Sequence, residues 1–165
     1  MAVRDDVLEA NRGYAEAFGQ GDLPIPPARR FAVVTCMDAR IDPAKALGLS
    51  EGDAHVIRNA GGLLTDDALR SLVISNSLLG TQEVLIVAHT GCGMLTFTNE
   101  DLHAKLAEER GADATEFDFQ PFEDLETSVR ACVRRVRESP LLPDDFDASG
   151  WIYEVETGRI TAVED

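Results

Sequence analysis

The amino-acid sequence predicts an α/β fold: a mainly parallel central sheet flanked by helices, with an N-terminal helical arm and a C-terminal antiparallel hairpin. Short apolar runs, typical of buried strands, alternate with longer segments of helical periodicity. The connections between them are short, and this alternation favours strands that lie side by side and parallel. A stretch rich in glycine and proline, GQGDLPIPP, separates the first helical segment from the rest of the chain.

Three apolar runs are the predicted strands of the parallel sheet. They are FAVVT at residues 31–35, AHVIRNA at 54–60 and EVLIVAH at 83–89. The third run is apolar enough to be buried on both faces of a sheet. Near the end of the chain, GWIYEVETGRITAV at residues 150–163 predicts a hairpin that turns at Thr157 and Gly158.

Four segments have the periodicity of helices. They cover residues 4–19, 65–79, 98–109 and 122–140, and residues 110–121 are predicted as a loop. Thr65 is a suitable N-cap for the second helix, because its hydroxyl can accept a hydrogen bond from a free backbone N–H. Asp66 and Asp67 favour the positive end of the same helix. Pro140 ends the last helix.

The length of the chain predicts one domain over residues 1–165, since 165 residues can bury a core without disulfide bonds. Within it, residues 1–27 form the helical arm and its linker, and residues 28–165 form the α/β core. Two interpretations of the arm stay open. It packs either on a neighbouring chain or on its own domain.

The charge and the cysteine count exclude several classes of protein. A net charge of −15 repels nucleic acid and anionic membranes, so neither is an expected partner. No apolar run approaches the roughly 20 residues that cross a bilayer. The charged, amphipathic start differs from a signal peptide and predicts a cytoplasmic protein. Three cysteines argue against a disulfide framework and favour metal binding or catalysis.

A first cluster of chemically active residues follows the first strand. The segment TCMDAR, residues 35–40, places Cys36, Asp38 and Arg40 at alternate positions. If the backbone stays extended, its two-residue period points all three side chains the same way. Because a thiolate, a carboxylate and a guanidinium make a poor core, the pattern predicts a functional site at the end of this strand.

A second cluster, AHTGCGM at residues 88–94, follows the third strand and contains His89 and Cys92. The glycines on either side of Cys92 allow a tight turn. Both clusters lie at the carboxyl ends of their strands, where α/β proteins form ligand sites. Two thiolates and one imidazole suit zinc and leave a fourth position open. Cys132 lies between Val129 and Val136 at helical spacing, which predicts a small buried hydrophobic side chain.

Two other interpretations of the cysteines account for fewer of the residues in the two clusters than a metal site does. In a phosphatase loop the arginine lies further from the cysteine than Arg40 lies from Cys36. A Cys–His nucleophile pair is compatible with the sequence, but it leaves the second cysteine and the Asp38–Arg40 pair without a role.

The two clusters together resemble a known family. Cys-x-Asp-x-Arg, followed about fifty residues later by His-x-x-Cys, is similar to the signature of the β-class carbonic anhydrases. The resemblance covers most of residues 31–97, including VIRNAGG at 56–62 and HTGCGM at 89–94, and is closest to the short bacterial members. Ala39 stands where plant-like members commonly have serine.

The resemblance implies a zinc enzyme. Cys36, His89 and Cys92 would hold one Zn²⁺ per chain, with Asp38 and Arg40 as a catalytic dyad beside it. The implied reaction is the reversible hydration of carbon dioxide to bicarbonate and a proton by a zinc-bound hydroxide. The implied partners are carbon dioxide and bicarbonate, and chains of this family pair extensively, which predicts a homodimer or a tetramer.

Asp38 has two expected states. As a carboxylate it accepts a hydrogen bond and orients the nucleophile, while Arg40 keeps it ionised and away from the metal. At low pH, or without Arg40, Asp38 would become a fourth metal ligand and close the site. Either His55 or His103 is a candidate proton carrier, since histidine titrates near neutrality, although lone histidines are usually structural.

Two alternative functions use the same residues. One is zinc-dependent hydrolysis of carbon disulfide or carbonyl sulfide, and pocket width would distinguish it from the hydration of carbon dioxide. The other is a non-catalytic zinc-binding sensor module. The Asp38–Arg40 pair argues against a sensor, because a purely structural metal site needs neither residue.

Overall fold

A computed structural model describes residues 2–164 of the chain. Its five strands form one sheet: β1 (Phe31–Cys36), β2 (Ala54–Asn59), β3 (Glu83–His89), β4 (Asp147–Tyr153) and β5 (Ile160–Val163). The strand order is β2-β1-β3-β4-β5. Only the β4–β5 pair is antiparallel within the described chain. The predicted fold class, with its mainly parallel sheet and C-terminal hairpin, is confirmed.

Five helices surround the sheet or precede it: α1 (Val3–Glu16), α2 (Pro43–Leu47), α3 (Asp66–Leu79), α4 (Asn99–Arg110) and α5 (Leu125–Arg137). All four predicted helices are present, with shifted ends. The last is shorter than predicted, because Asp124 caps its start by accepting a hydrogen bond from the Thr127 N–H. Helix α2 was not predicted, since five residues are too few to show a helical period.

The start of α3 follows the sequence prediction. The Thr65 hydroxyl accepts a hydrogen bond of 3.2 Å from the Ala68 N–H and so caps the helix. Asp66 and Asp67 occupy its first turn, where negative charge is favourable. Gly80 ends the helix in a left-handed conformation that glycine adopts without strain.

Strand β4 begins three residues earlier than its sequence indicates. Asp147 and Ser149 are poor strand formers, but their backbone pairs with β3 from Asp147 onward, and this pairing outweighs propensity. A side chain at Gly150 would place its Cβ only 2.5 Å from Val129 of α5. Glycine is therefore needed there for α5 to pack closely against the sheet.

The hydrophobic core fixes the centre of the sheet. One face contributes Ala32, Val34, Val84 and Ile86, which pack with Leu72 of α3 and with Val129 and Val136 of α5. The opposite face carries Phe31, Val33 and Val87, which pack against Leu47 and Leu49 around α2. Every residue of β1 is buried. The carboxyl ends of β1 and β3 are therefore held in fixed positions by packing on both faces.

Helix α1 buries none of its side chains against the rest of the described chain. Its apolar residues Val3, Val7 and Leu8 are exposed, as is Phe18 beyond it. Tyr14 contacts the core of its own chain by donating a hydrogen bond to Glu51. The helix of the arm therefore buries no side chain against its own domain, and both interpretations of where the arm packs stay predictions.

Within residues 2–164, no helix combines the length and the apolar character that crossing a membrane requires.

Candidate metal centre

The sheet topology brings the two sequence clusters together. Strand β1 ends at Cys36 and the adjacent parallel strand β3 ends at His89, so the residues that follow meet at one edge of the sheet. After His89 the backbone turns at Gly91, which has a φ of 62°. That left-handed turn returns the chain toward β1 and places Cys92 beside Cys36.

The three predicted ligands form one buried cluster. The Sγ atoms of Cys36 and Cys92 and a ring nitrogen of His89 all lie within 4.8 Å of one another. Cys36 is 5% exposed, Cys92 is 2% exposed and His89 is fully buried. The structure thus brings together all three predicted ligands in a group that could hold one metal ion, and their role as ligands stays a prediction.

The hydrogen bonding of His89 defines which ring nitrogen faces a ligand. Its Nδ1 lies 2.9 Å from the backbone oxygen of Thr90. Because a carbonyl only accepts, Nδ1 carries the proton and Nε2 has the free lone pair. Among residues 2–164, Nε2 is the one buried side-chain nitrogen or oxygen without a hydrogen-bond partner. Such an atom costs free energy unless it is satisfied, and a metal ion would satisfy it.

Asp38 lies beside the cluster and is held there by Arg40. The Arg40 guanidinium donates from Nε to Oδ1 at 2.9 Å and from Nη2 to Oδ2 at 2.7 Å, and the Arg40 backbone N–H also donates to Oδ1. These hydrogen bonds hold the pKa of the Asp38 carboxyl well below its usual range. Its Oδ2 is 3.7 Å from His89 Nε2, so the ionised carboxylate faces the cluster.

Arg40 also connects the two loops. Its Nη2 donates a hydrogen bond of 3.0 Å to the backbone oxygen of Gly91. One guanidinium therefore contacts both the loop that follows β1 and the turn that positions Cys92. The predicted Asp38–Arg40 pair is present, and its catalytic role stays a prediction.

The electrostatics of the cysteines fit a bound cation. Burial raises the pKa of the Cys92 thiol, and the neighbouring Cys36 raises it further, whereas the Met94 backbone N–H lowers it. Two buried thiolates side by side repel each other unless positive charge lies between them. A divalent cation supplies that charge and deprotonates the thiols that coordinate it. The donor set therefore fits a metal such as zinc.

The RNAGG turn, residues 58–62, lies directly against the cluster. Gly62 has a φ of +67°, and a Cβ there would lie 2.9 Å from the backbone nitrogen of Cys36. Asn59 closes the turn through two hydrogen bonds to Leu63, one from its side-chain amide and one to its side-chain oxygen. The turn thus supports the backbone of a predicted metal ligand at van der Waals distance.

The two cysteines are surrounded by an apolar wall, and this wall was not predicted from the sequence. Leu95, Phe97, Phe122 and Tyr153 pack against Cys36, Ile41, Cys92 and Met94. These residues come from separate parts of the chain, and Phe122 lies in a segment without helix or strand. No local pattern marks them, because only the folded chain places them together.

The remaining candidates lie elsewhere. His55 is near the amino end of β2 and its Nδ1 lies 2.6 Å from the Ser75 hydroxyl, while His103 on α4 contacts the backbone oxygen of Phe117. Neither belongs to the cluster, and proton transfer by either stays a prediction. Cys132 is buried among the valines of α5, as predicted, and its sulfur accepts a hydrogen bond from the Leu64 N–H.

Comparison with known proteins agrees with the fold and the cluster. Residues 31–160 match the sequence model of the carbonic anhydrase family. β-Carbonic anhydrase 1 of Mycobacterium tuberculosis is 44% identical over 163 residues, covering 99% of each chain. A carbon disulfide hydrolase from an Acidianus strain is 38% identical over 161 residues, covering 82% of this chain and 78% of that protein. The crystal structure of a Streptococcus mutans carbonic anhydrase superimposes with a TM-score of 0.96 at 48% identity, covering 99% of both chains.

The fold and the buried Cys-His-Cys cluster together define an α/β enzyme with a metal-binding capacity at the carboxyl edge of its sheet. The chain belongs to the β-carbonic anhydrase family and is an enzyme of that class, whose family activity is the hydration of carbon dioxide.

Proposed function

We propose that this protein catalyses the zinc-dependent, reversible hydration of carbon dioxide to bicarbonate and a proton. Cys36, His89 and Cys92 would hold one Zn²⁺ per chain. The observation that carries the proposal is the convergence of three buried ligand atoms within 4.8 Å, one of which is an unpartnered imidazole nitrogen.

The donor set favours zinc over harder cations. Thiolate and imidazole suit Zn²⁺, whereas Mg²⁺ and Ca²⁺ prefer oxygen ligands. Three protein ligands are typical of catalytic zinc sites, which keep a fourth position for water or substrate. When bound, zinc is a Lewis acid that lowers the pKa of water from 15.7 to about 7. The chain's own residues then have to orient the reactants and stabilise the charges of the reacting groups.

Asp38 orients the nucleophile in this proposal. With its pKa held low by Arg40, the carboxylate is ionised and can only accept hydrogen bonds. An acceptor beside the cluster fixes the direction of an O–H bond on the attacking oxygen, and so directs a lone pair toward the carbon of the substrate. Arg40 holds that acceptor in place through two parallel hydrogen bonds, the strongest arrangement for this pair of groups.

The apolar wall suits the substrate. Carbon dioxide has no net dipole and no hydrogen-bond donor, so an apolar surface can hold it without leaving polar groups unpaired. Phe97, Phe122 and Tyr153 provide such a surface next to both cysteines. The product carries a negative charge, which the same surface does not stabilise, and this difference favours its release.

A second candidate reaction is the hydrolysis of carbon disulfide or carbonyl sulfide at the same cluster. It is favoured by the relatives called carbon disulfide hydrolase, which are 33–38% identical to this chain. Carbon dioxide ranks first because the relatives called carbonic anhydrase reach 44% and 48% identity with full coverage. Release of hydrogen sulfide from carbon disulfide, measured alongside hydration of carbon dioxide, distinguishes the two.

The proposal includes a homodimer or tetramer in the cytoplasm. The exposed apolar residues of the arm support self-association, and three cysteines that form no disulfide suit a reducing compartment.

The test is stopped-flow hydration of carbon dioxide by protein of known metal content. We expect about one zinc ion per chain in the unmodified protein, and loss of both zinc and activity in Cys92→Ala, because two ligands hold zinc poorly. Cys132→Ala is the matched control. It removes a thiol that is also buried but lies outside the cluster, and it should keep both zinc and activity. Full zinc content in Cys92→Ala, measured by elemental analysis, would overturn the ligand assignment.

A further inference from the structure

The side chain of Arg58 bridges the backbones of two residues of the first cluster, Cys36 and Asp38. Arg58 is the fifth residue of β2 and pairs with Thr35 of the neighbouring strand β1. Its Nε donates a hydrogen bond of 2.9 Å to the backbone oxygen of Cys36, and its Nη2 donates one of 2.8 Å to the backbone oxygen of Asp38. One rigid group thus spans the segment from a candidate ligand to the catalytic carboxylate.

This segment needs such support because β1 ends at Cys36. Beyond that point the Met37 N–H donates a hydrogen bond to the Asn59 oxygen of β2, and the Asp38 oxygen accepts one from the Ile41 N–H. Met37 itself is 65% exposed, so its side chain adds little packing between Cys36 and Asp38. The planar guanidinium fixes the separation of two carbonyl groups in a way that a flexible ammonium group cannot.

We infer that Arg58 is a positioning residue for both the Cys36 sulfur and the Asp38 carboxylate. The inference rests on the proposed function, since it assigns Arg58 to the same metal centre. Arg40 fixes the side chain of Asp38, while Arg58 fixes its backbone and that of Cys36. The two arginines therefore have separate tasks, and the loss of one does not reproduce the loss of the other.

Restraint of the backbone matters because Asp38 lies close to a ligand atom. Its Oδ2 is 3.7 Å from His89 Nε2, and a carboxylate is itself a competent zinc ligand. A shift of about 1 Å in a catalytic group can cost on the order of 100-fold in rate. Without Arg58, the two side-chain hydrogen bonds to the backbone oxygens of Cys36 and Asp38 would be lost, although all three candidate ligands would remain.

The test compares Arg58→Met, which removes both donors and keeps most of the side-chain length, with Arg58→Lys, which keeps a cation that can donate to one carbonyl at a time. Arg70→Met is the matched control, because Arg70 forms only a local ion pair with Asp67 on α3. Each protein is loaded with Zn²⁺ for kinetics and with Co²⁺ for absorption spectroscopy, which reports thiolate ligation and coordination geometry independently of turnover.

We expect Arg58→Met to bind about one metal ion per chain and to lower kcat on the order of 10- to 100-fold with little change in KM, as is typical when a group that orients a metal ligand is removed. The cobalt absorption bands should shift in position or intensity. Arg58→Lys should recover part of the lost kcat, and Arg70→Met should match the unmodified protein in every measurement.

An unchanged kcat and an unchanged cobalt spectrum in Arg58→Met would overturn the inference. So would an equal loss in Arg58→Met and Arg70→Met. If Arg58→Met fails to fold, the cobalt spectrum of Arg58→Lys decides, since a spectrum identical to that of the unmodified protein contradicts a positioning role. If the unmodified protein binds metal without hydrating carbon dioxide, the proposed function fails, while the spectra still test Arg58.

Discussion

The Asp38 carboxylate has two chemical capacities, one of which favours catalysis and one of which would inhibit it. Its carboxylate can orient a nucleophile, and it can also bind the metal that the nucleophile needs. The structure shows the carboxylate paired with Arg40 through two side-chain hydrogen bonds, with Oδ2 at 3.7 Å from His89 Nε2. The closed state, in which Asp38 is a ligand, stays a prediction.

Replacement of Arg40 tests that state. We expect Arg40→Ala to keep its zinc and to lose nearly all hydration of carbon dioxide, because the unpaired carboxylate is then free to take the fourth position on the metal. Zinc content, stopped-flow rates and a crystal structure measure the effect. Arg70→Ala, which removes an exposed ion pair distant from the cluster, should leave both zinc and activity unchanged. Near-normal turnover in Arg40→Ala would contradict the prediction.

The residues of the candidate site were predictable to different degrees. Cys36, Asp38 and Arg40 share one short segment, and His89 and Cys92 share another, so each group shows a pattern in the sequence. Arg58, by contrast, acts through backbone oxygens of a neighbouring strand. Backbone acceptors carry no residue signature, and the sequence therefore indicated no role for Arg58.

At the scale of secondary structure, the turn after β2 is the element most tightly fitted to the cluster. Gly62 has a φ of +67°, where other residues are strained, and it lies against the backbone of Cys36. The turn therefore has two reasons to keep glycine at this position, one conformational and one steric.

We expect Gly62→Ala to lower the free energy of unfolding by about 1–3 kcal/mol from backbone strain alone, and by more if the Cys36 backbone cannot move. Chemical denaturation measures this change, and metal analysis shows whether the displaced Cys36 still holds zinc. Gly93→Ala is the control, since a Cβ there contacts nothing within 4 Å and its φ is not left-handed. Equal stability of the two variants would show that the close contact at Gly62 has no energetic weight.

Periodicity predicted the elements whose own side chains form the core. Strand β3 has the predicted bounds, and α3 begins at the predicted cap. Periodicity failed for segments whose structure depends on contacts with neighbouring strands or helices. The first residues of β4 are polar and become a strand only because β3 offers them a partner. Helix α2 has only five residues, with Asp42 as its N-cap and Gly48 as its C-cap.

At the scale of the whole molecule, the contacts within one chain do not explain why the N-terminal arm carries exposed apolar side chains. Within residues 2–164 none of the apolar side chains of α1 is buried, and Val7, Leu8 and Phe18 are all exposed. Several exposed apolar side chains on one short segment favour an interface. The net charge of −15 opposes association, so contacts between chains need apolar burial to overcome repulsion.

We expect the protein to sediment as a homodimer or a larger assembly, and Leu8→Asp to shift it toward the monomer. The introduced charge would be buried in the contact, but in the isolated chain, where Leu8 is 57% exposed, it costs only a few tenths of a kcal/mol, roughly, in helix propensity. Leu141→Asp adds the same charge at a similarly exposed leucine outside the arm and should leave the assembly intact. A stable, fully active monomer of the unmodified protein would refute the prediction.

The position of the cluster between β1 and β3 also sets an order in time. These strands are neighbours in the sheet, but β2 and α3 lie between them along the chain. During synthesis, Cys36 emerges long before His89 and Cys92, and the pocket cannot exist until β3 has inserted beside β1. Contacts this distant in sequence form slowly. Under the proposed ligand assignment, acquisition of metal is therefore a late event for each new chain, and a truncated product that stops short of Cys92 lacks one of the three proposed ligands.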